Sequence, residues 1–170
     1  EVLTTYFNDG KRKPERSSYN NAHAYLSAPY GIYKTSNGYI AIAMTPLPHL
    51  GELLNLDSIK NLHDQKEWFT KRDDIKKNIG DWVEKESTEH WLSILEPADI
   101  WCAKVLDWET MVKHEGFKIL DMVQRIQRDD GLDIETLRCP IKIDGEIFKS
   151  NKAAPKIGND NNNIKKEFNI

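Results

Sequence analysis

The sequence predicts an α/β protein of the α+β type: a small mixed, largely antiparallel sheet with packed helices, flanked by extended arms. Three observations lead there. Ile32-Tyr33-Lys34-Thr35 and Tyr39-Ile40-Ala41-Ile42-Ala43 are β-prone runs on either side of Asn37-Gly38, the strongest short-range signal for a hairpin. Ile75, Ile79, Trp82 and Val83 fall at i, i+4, i+7 and i+8, one apolar face of a helix over roughly 70–86. Further β-prone runs at 100–105, near 122–127 and near 137–143 place strands on both sides of a helical middle.

Residues 1–31 read as a linker. They carry few periodic apolar positions, and 8–31 concentrate turn formers such as Asn8-Asp9-Gly10, Pro14, Ser17-Ser18 and Asn20-Asn21. The compact unit is expected over 32–149, opening with the hairpin, whose Asn37-Gly38 tolerates the positive φ angles of a tight turn. Pro46 and Pro48 end its second strand, because proline cannot donate within a sheet ladder. Leu50, Leu53, Leu54 and Leu56 then give a short helix. In the main helix Lys71-Arg72-Asp73-Asp74, Lys76-Lys77 and Glu84-Lys85-Glu86 should cover the solvated face. Ser87 is the N-cap of the next helix, with Glu89 in its first turn, Trp91, Leu92, Ile94 and Leu95 inward, and Pro97 closing it. Asp107 caps Trp108–Val112, and Gly116 separates this from a second turn at Phe117–Met122. Asp144-Gly145 is expected to turn into Glu146-Ile147-Phe148. Residues 150–170 form a C-terminal arm ending in a short helix, whose sparse face, Ile164 and Phe168, needs a partner surface.

Composition excludes several function classes. The 170 residues carry a formal net charge of −3, and basic and acidic side chains are interspersed, so there is no basic stripe for nucleic acid. No apolar run approaches the ~20 residues that span a bilayer. No signal-peptide pattern opens the chain, so a cytoplasmic location is expected, or a mitochondrial or peroxisomal one in a eukaryote. The chain begins on Glu1 rather than Met, which suggests a cleaved, truncated or excised segment. Cys102 and Cys139 lie in apolar β-prone runs and read as buried, reduced thiols. His23, His49, His63, His90 and His114 stand in five segments without ligand spacing, so no metal site is expected. His90 is read into a helix first turn and His114 into a helix last turn. Trp68, Trp82 and Trp91 sit on apolar helical faces and read as core.

Pro29-Tyr30-Gly31-Ile32-Tyr33-Lys34-Thr35, followed by Gly38 and Tyr39-Ile40-Ala41-Ile42-Ala43, resembles the opening of the small domain of family III CoA-transferases. These are the CaiB/BaiF-like carnitine, formyl and bile-acid CoA-transferases and the α-methylacyl-CoA racemases. Ser87 to Leu95 resembles the family's Thr-Thr-x-Glu-Trp-Leu-x-x-Leu helix, and Asp99 to Val105 its Gly-Ile-Pro-Cys-Ala-Pro-Val strand. Asp107 to Met122 fits the helix, loop and helix that follow. Cys139-Pro140-Ile141-Lys142 is similar to its Pro-x-Lys strand, and Ala154-Pro155-Lys156-Ile157-Gly158 to its Ala-Pro-x-Leu-Gly segment. Trp101 and Lys104 replace the two prolines around the Cys, His114-Glu115 replaces Asp-Pro, and Asn159-Asp160-Asn161 stands where Glu-His-Thr is usual.

The resemblance implies an enzyme whose nucleophile is an aspartate in a Rossmann-like large domain, the main part of which lies N-terminal to this segment. On that reading no catalytic residue lies in this chain, which alone is inactive; 1–31 is the linker from the large domain and 150–170 the arm returning to it. The implied chemistry moves CoA from an acyl-CoA thioester to a carboxylic acid through an aspartyl intermediate, each step an acyl transfer. CoA thioester is substrate, no prosthetic group is implied, and the whole enzyme is a homodimer threaded through its linkers. Pro29, Tyr30 and Gly31 are the substrate-pocket candidates, with the Tyr30 ring as a wall and its hydroxyl as a donor; the competing reading packs Tyr30 onto its own domain. Lys11, Arg12 and Arg16 are candidates for the CoA phosphates, against a solvated linker. Two alternatives stand beside the transferase: an α-methylacyl-CoA racemase-type enzyme, and a non-catalytic relic that binds a partner or a CoA ester.

Overall fold

The computed structural model describes residues 2–13, 15–19, 25–128 and 130–170. Pro14, Asn20, Asn21 and His23 of the sequence reading lie outside them. The chain forms two compact units, Glu1–Leu106 and Asp107–Ile170, a boundary inside the span 32–149 read from the sequence.

The first unit opens with a helix where a linker was expected, α1 (Val2–Asn8), with no buried residue. Its sheet is β1 (Gly31–Thr35), β2 (Gly38–Ile42) and β3 (Cys102–Lys104), antiparallel throughout with β2 in the middle. Ile32 pairs with Ala41 and Ala41 with Ala103, so one row of side chains crosses all three strands. Because side chains alternate along a strand, Tyr33, Thr35, Ile40 and Ile42 turn inward while Ile32, Lys34 and Tyr39 turn outward.

Four helices follow between β2 and β3 before the last one: α2 (Leu47–Leu54), α3 (Asp57–Lys60), α4 (Gln65–Thr70) and α5 (Arg72–Val83). The last, α6 (Thr88–Leu95), starts at Ser87, whose Oγ accepts from His90 N at 3.1 Å. Helices α5 and α6 pack on the sheet. Ile75, Ile79 and Val83 of α5 and Trp91 and Leu95 of α6 join Ile40 and Ile42 in one core, with Trp82 and Leu92 packed against it. Three indole N–H groups tie this core together, Trp68 donating to Leu62 O (2.8 Å), Trp82 to Leu54 O (2.8 Å) and Trp91 to Val83 O (2.7 Å). Two expectations fail here. Lys76 is 2% exposed rather than on a solvated face. The core also begins before Ile32, since Ala28 and Pro29 are buried and Ala28 N donates to Trp68 O at 3.0 Å.

The hairpin stands where it was expected, but its turn differs. Thr35 pairs with Gly38, so Ser36-Asn37 are the central residues, and neither Asn37 nor Gly38 has positive φ. The reason is tertiary. Asn37 Oδ1 accepts from Thr88 N at 2.8 Å and Asn37 Nδ2 donates to Glu89 Oε2 at 2.7 Å, which docks the turn on the start of α6. At Asp144-Gly145 both residues do have positive φ, 51° and 84°, and they join β6 (Lys142–Ile143) to β7 (Glu146–Ile147) as a tight hairpin.

The second unit contains α7 (Trp108–Lys113), α8 (Glu115–Leu120), the hairpin β4 (Val123–Gln127) with β5 (Asp133–Leu137), then β6, β7 and α9 (Asn161–Phe168). Asp107 caps α7 as expected, accepting from Thr110 N at 2.7 Å. The break after α7 is at His114 rather than Gly116: His114 caps α8, its Nδ1 accepting from Gly116 N at 3.1 Å. Thus His114 serves a helix start and not a last turn. The expected strand near 137–143 is divided, because 133–137 pair with β4 whereas only 142–143 are extended beyond Pro140. Cys139 is exposed, not buried, and both cysteines are free. Among the described residues of this unit no hydrophobic side chain belongs to the buried core, and the one buried residue is Arg138, at 3% exposure. Arg138 donates to the carbonyls of Leu120, Asp121 and Cys139, closing the C-terminal end of α8.

Candidate functional site

A cleft of about 660 Å3 lies on the outer face of the first unit's sheet. Its origin is legible in the strand alternation. Ile40 and Ile42 point inward, so Ala41 faces out beside Ala103, and these small side chains, with Ala43 next to them, leave the middle of the face hollow. Tyr30 and Ile32 wall one side, and the loop from Glu96 to Trp101 walls the other.

That loop is shaped by the end of α6. Ile100 N donates to Leu95 O at 3.1 Å and Asp99 N to Glu96 O at 3.0 Å, with Asp99 left-handed at φ 58°. This is the paired closure of a Schellman motif, and the apolar contact that accompanies it is present, since Leu95 and Ile100 are both buried. Leu95 and Ile100 therefore turn into the core while Glu96 and Asp99 are left on the cleft side. Ala43 N donates to Trp101 O at 2.8 Å, which fixes the backbone of Trp101, whose indole is 76% exposed. Cys102 borders the cleft while packing against the core, and burial first, then the Glu96 carboxylate, push its thiol pKa up.

The structure brings Tyr30 and Gly31 of the substrate-pocket candidates into this cleft. Pro29 is buried behind them, where its carbonyl accepts from the Tyr33 hydroxyl at 2.5 Å and so sets the approach of Tyr30. Burial raises the Tyr33 hydroxyl far above its ordinary pKa. Lys11, Arg12 and Arg16 do not reach the cleft. Lys11 and Arg12 are exposed beside α1, where Lys11 N donates to Tyr6 O. Arg16 lines a separate hollow with Lys71 and Arg72, and Glu15, Asp73 and Asp74 share it, so its charge is balanced. Among the described residues no group of three or more His, Cys, Asp or Glu side chains could hold a metal ion. None of the described helices is long and apolar enough to cross a membrane.

Sequence reasoning missed Glu96, Asp99 and Trp101. The signal was present in the Ile-Ala-Ile-Ala alternation, which marks an outer face of small residues, and in Trp101, an aromatic placed outside any helical stripe.

The model of CoA-transferase family III matches residues 2–161. The chain belongs to that family. CoA-transferase/lyase DddD of Marinomonas sp. (strain MWYL1) is 32% identical over 85 residues, which cover 50% of this chain and 9% of DddD. A CAIB/BAIF family protein from Brucella suis is similar with a TM-score of 0.61 at 21% identity, covering 97% of this chain and 43% of that one. The hypothetical protein Rv3272 from Mycobacterium tuberculosis gives a TM-score of 0.58 at 17% identity, covering 81% of this chain and 39% of that one. At these identities the two solved structures show the family III fold alone. This chain spans less than half the length of each relative.

Proposed function

We propose that this chain is the small-domain portion of an enzyme that moves CoA between an acyl-CoA thioester and a carboxylic acid, and that the cleft on the outer sheet face shapes the acyl and acceptor pocket. The observation that carries the reading is family membership over nearly the whole chain, joined to a cleft that is apolar in its floor. The aspartate that accepts the acyl group and then CoA lies on this account outside residues 1–170. Tyr30 walls the pocket, Gly31 lets the substrate approach the backbone, and Pro29 supports them from behind. Lys11, Arg12 and Arg16 approach the CoA phosphates when the rest of the enzyme is present.

Residues 1–31 and 150–170 are on this reading arms that engage a Rossmann-like large domain and the second subunit of a homodimer. Support comes from their surfaces. Leu3, Phe7, Ile157, Ile164 and Phe168 are all more than half exposed apart from Ile164 at 45%, which is apolar area that only another surface can bury.

The test is a CoA-transfer assay on the complete encoded polypeptide and on 1–170, with an acyl-CoA donor and a panel of carboxylates. Transfer by the complete polypeptide and none by 1–170 is expected. Transfer by 1–170 that depends on one of its own acidic residues would overturn the placement of the nucleophile. Epimerisation of a 2-methylacyl-CoA without transfer would replace the transferase reading with the racemase one.

A further inference from the structure

One buried amine of the first unit has no place at the cleft and no acceptor of its own. Lys76 on α5 is 2% exposed, and among the described residues its Nζ has no hydrogen-bond partner. Other lysines of this unit are held by carboxylates, Lys34 by Glu84 at 2.6 Å, Lys77 by Asp81 at 2.5 Å and Lys104 by Glu89 at 2.7 Å. Asp73, one turn before Lys76, is committed elsewhere, because both its oxygens accept from Ser18 N, at 3.2 and 3.1 Å.

A second unmet donor lies on the same helix. Arg72 Nε is also buried without a hydrogen-bond partner among the described residues. Its guanidinium is fixed, since Nη2 donates to Glu15 O at 2.7 Å and Cζ stands 4.3 Å from the centre of the Phe69 ring. Residues at i and i+4 are neighbours on a helix surface, and a helical side chain leans back over the turn before its own Cα. Lys76 therefore extends towards Arg72, and two buried donors share one stretch of α5 with no acceptor for either. Burial first pushes the Lys76 amine down to about 8, Arg72 adding to this and Asp73 opposing it, so a good share of the amine is neutral near that pH. An unmet buried donor is costly, and a small anion carried on Nζ itself would supply the missing acceptor.

We propose that Lys76 is a site of reversible carbamylation by carbon dioxide, with the carbamate accepting a hydrogen bond from Arg72 Nε. The lone pair of the neutral amine attacks the carbon of CO2. The N–C bond forms, one C=O electron pair moves onto oxygen, and a proton leaves Nζ for the solvent, with no change of oxidation state. Carbon dioxide suits this position because it is small and uncharged, so it reaches a buried amine without the desolvation cost that a hydrated anion meets. The negative charge then arises in place, beside a guanidinium that lacked an acceptor. Asp73 opposes the new charge through space, and Arg72 offsets it. The inference concerns α5 alone and does not rest on the reading of the cleft.

The experiment equilibrates the 170-residue chain with 13C-labelled bicarbonate and CO2, traps carbamates as esters with triethyloxonium, and maps the labelled peptides by mass. An α-amino group reacts in the same way and serves as the internal control. The wild-type chain should carry the trapped label at Lys76, at an occupancy well above that of its exposed lysines. A carbamate carbon in the 13C spectrum of the untrapped protein should disappear in Lys76→Met, while the α-amino signal stays. Arg72→Met keeps an unbranched stem against Phe69 and removes the donor, so occupancy at Lys76 should fall at least about tenfold, the loss expected of one charge-assisted hydrogen bond. Label confined to the α-amino group, or spread evenly over the exposed lysines, overturns the proposal. Undiminished label at Lys76 in Arg72→Met overturns the pairing on which it rests.

Discussion

Thr35 and Thr88 offer the sharpest test of how the hairpin is held on α6. Their hydroxyls meet at 2.7 Å, with Thr35 1% and Thr88 0% exposed, and Thr35 Oγ1 has one further contact, to Asn37 Oδ1 at 3.3 Å. Thr→Val exchanges the hydroxyl for a methyl of similar size, so packing is nearly kept and hydrogen bonding is lost. Thr88→Val leaves the Thr35 hydroxyl with only the long contact and should cost about 1–2 kcal/mol. Thr35→Val strands the Thr88 hydroxyl without access to water and should cost about 1–3 kcal/mol. If the two effects were independent, the double variant would lose about 2–5 kcal/mol. Replacing both partners leaves no polar group unmet, so the double variant should instead lose about 0–1 kcal/mol, a coupling of at least about 1 kcal/mol. Urea denaturation followed by indole fluorescence reads all four proteins, provided that m is constant across them. A double variant as unstable as the sum of the singles would refute the buried hydroxyl pair.

Three further outcomes follow from the charged and capping groups. The Glu89 carboxyl is pushed down to about 2, first by the hydrogen bond from Lys104 and then by that from Asn37. Its folded pKa lies below its ordinary value of 4.5, so its stabilising effect is full above that value and is lost as pH falls towards 2; a carboxyl NMR titration should show this midpoint, Lys104→Met should raise it, and a wild-type midpoint near the ordinary value would contradict the contact. The Lys76 ammonium is pushed down to about 8 from 10.5, chiefly by burial, so the unfolded chain binds the extra proton between these values and stability should rise with pH across that window. Lys76→Met should raise the urea midpoint at pH 7 and abolish that rise; an unchanged pH profile would show the ammonium to be solvated. Arg138→Ala leaves the carbonyls of Leu120, Asp121 and Cys139 without their donor, and should cost about 2 kcal/mol or more; amide exchange in α8 and the β4–β5 hairpin should speed up, and unchanged protection there would refute the capping role.

The helices α5 and α6 were legible because their inward residues recur at helical spacing and because Ser87 caps by local chemistry alone. The hairpin was legible for the same reason, yet its turn was not. Asn37 is drawn to Thr88 N, fifty-one residues away, and no local rule contains that contact. At Asp144-Gly145 nothing distant competes, and the local rule gives the right turn. Lys76 was placed on the solvated face because its type is usually solvated, whereas its position on α5 adjoins Ile75 and Ile79 in the core. β5 was missed because Asp133 and Glu135 break the apolar run; their alternation with half-buried Ile134 and Thr136 is that of a two-residue-period ribbon. Of the site, Tyr30 and Gly31 were reached through the family resemblance, while Glu96, Asp99 and Trp101 depend on how α6 ends and on which strand β3 pairs with.

The central claim is that this chain shapes the pocket of a CoA-transferase while the acyl-accepting carboxylate stands outside it. The most direct measurement is trapping of the covalent intermediate in the complete polypeptide, incubated with acyl-CoA and then hydroxylamine, followed by peptide mass mapping. Hydroxylamine cleaves an aspartyl thioester or anhydride and leaves a hydroxamate on the carboxylate that had been acylated. The account predicts one modified Asp, dependent on acyl-CoA, beyond residues 1–170, and an unmodified 1–170 segment. A modified acidic residue within 1–170 would contradict it.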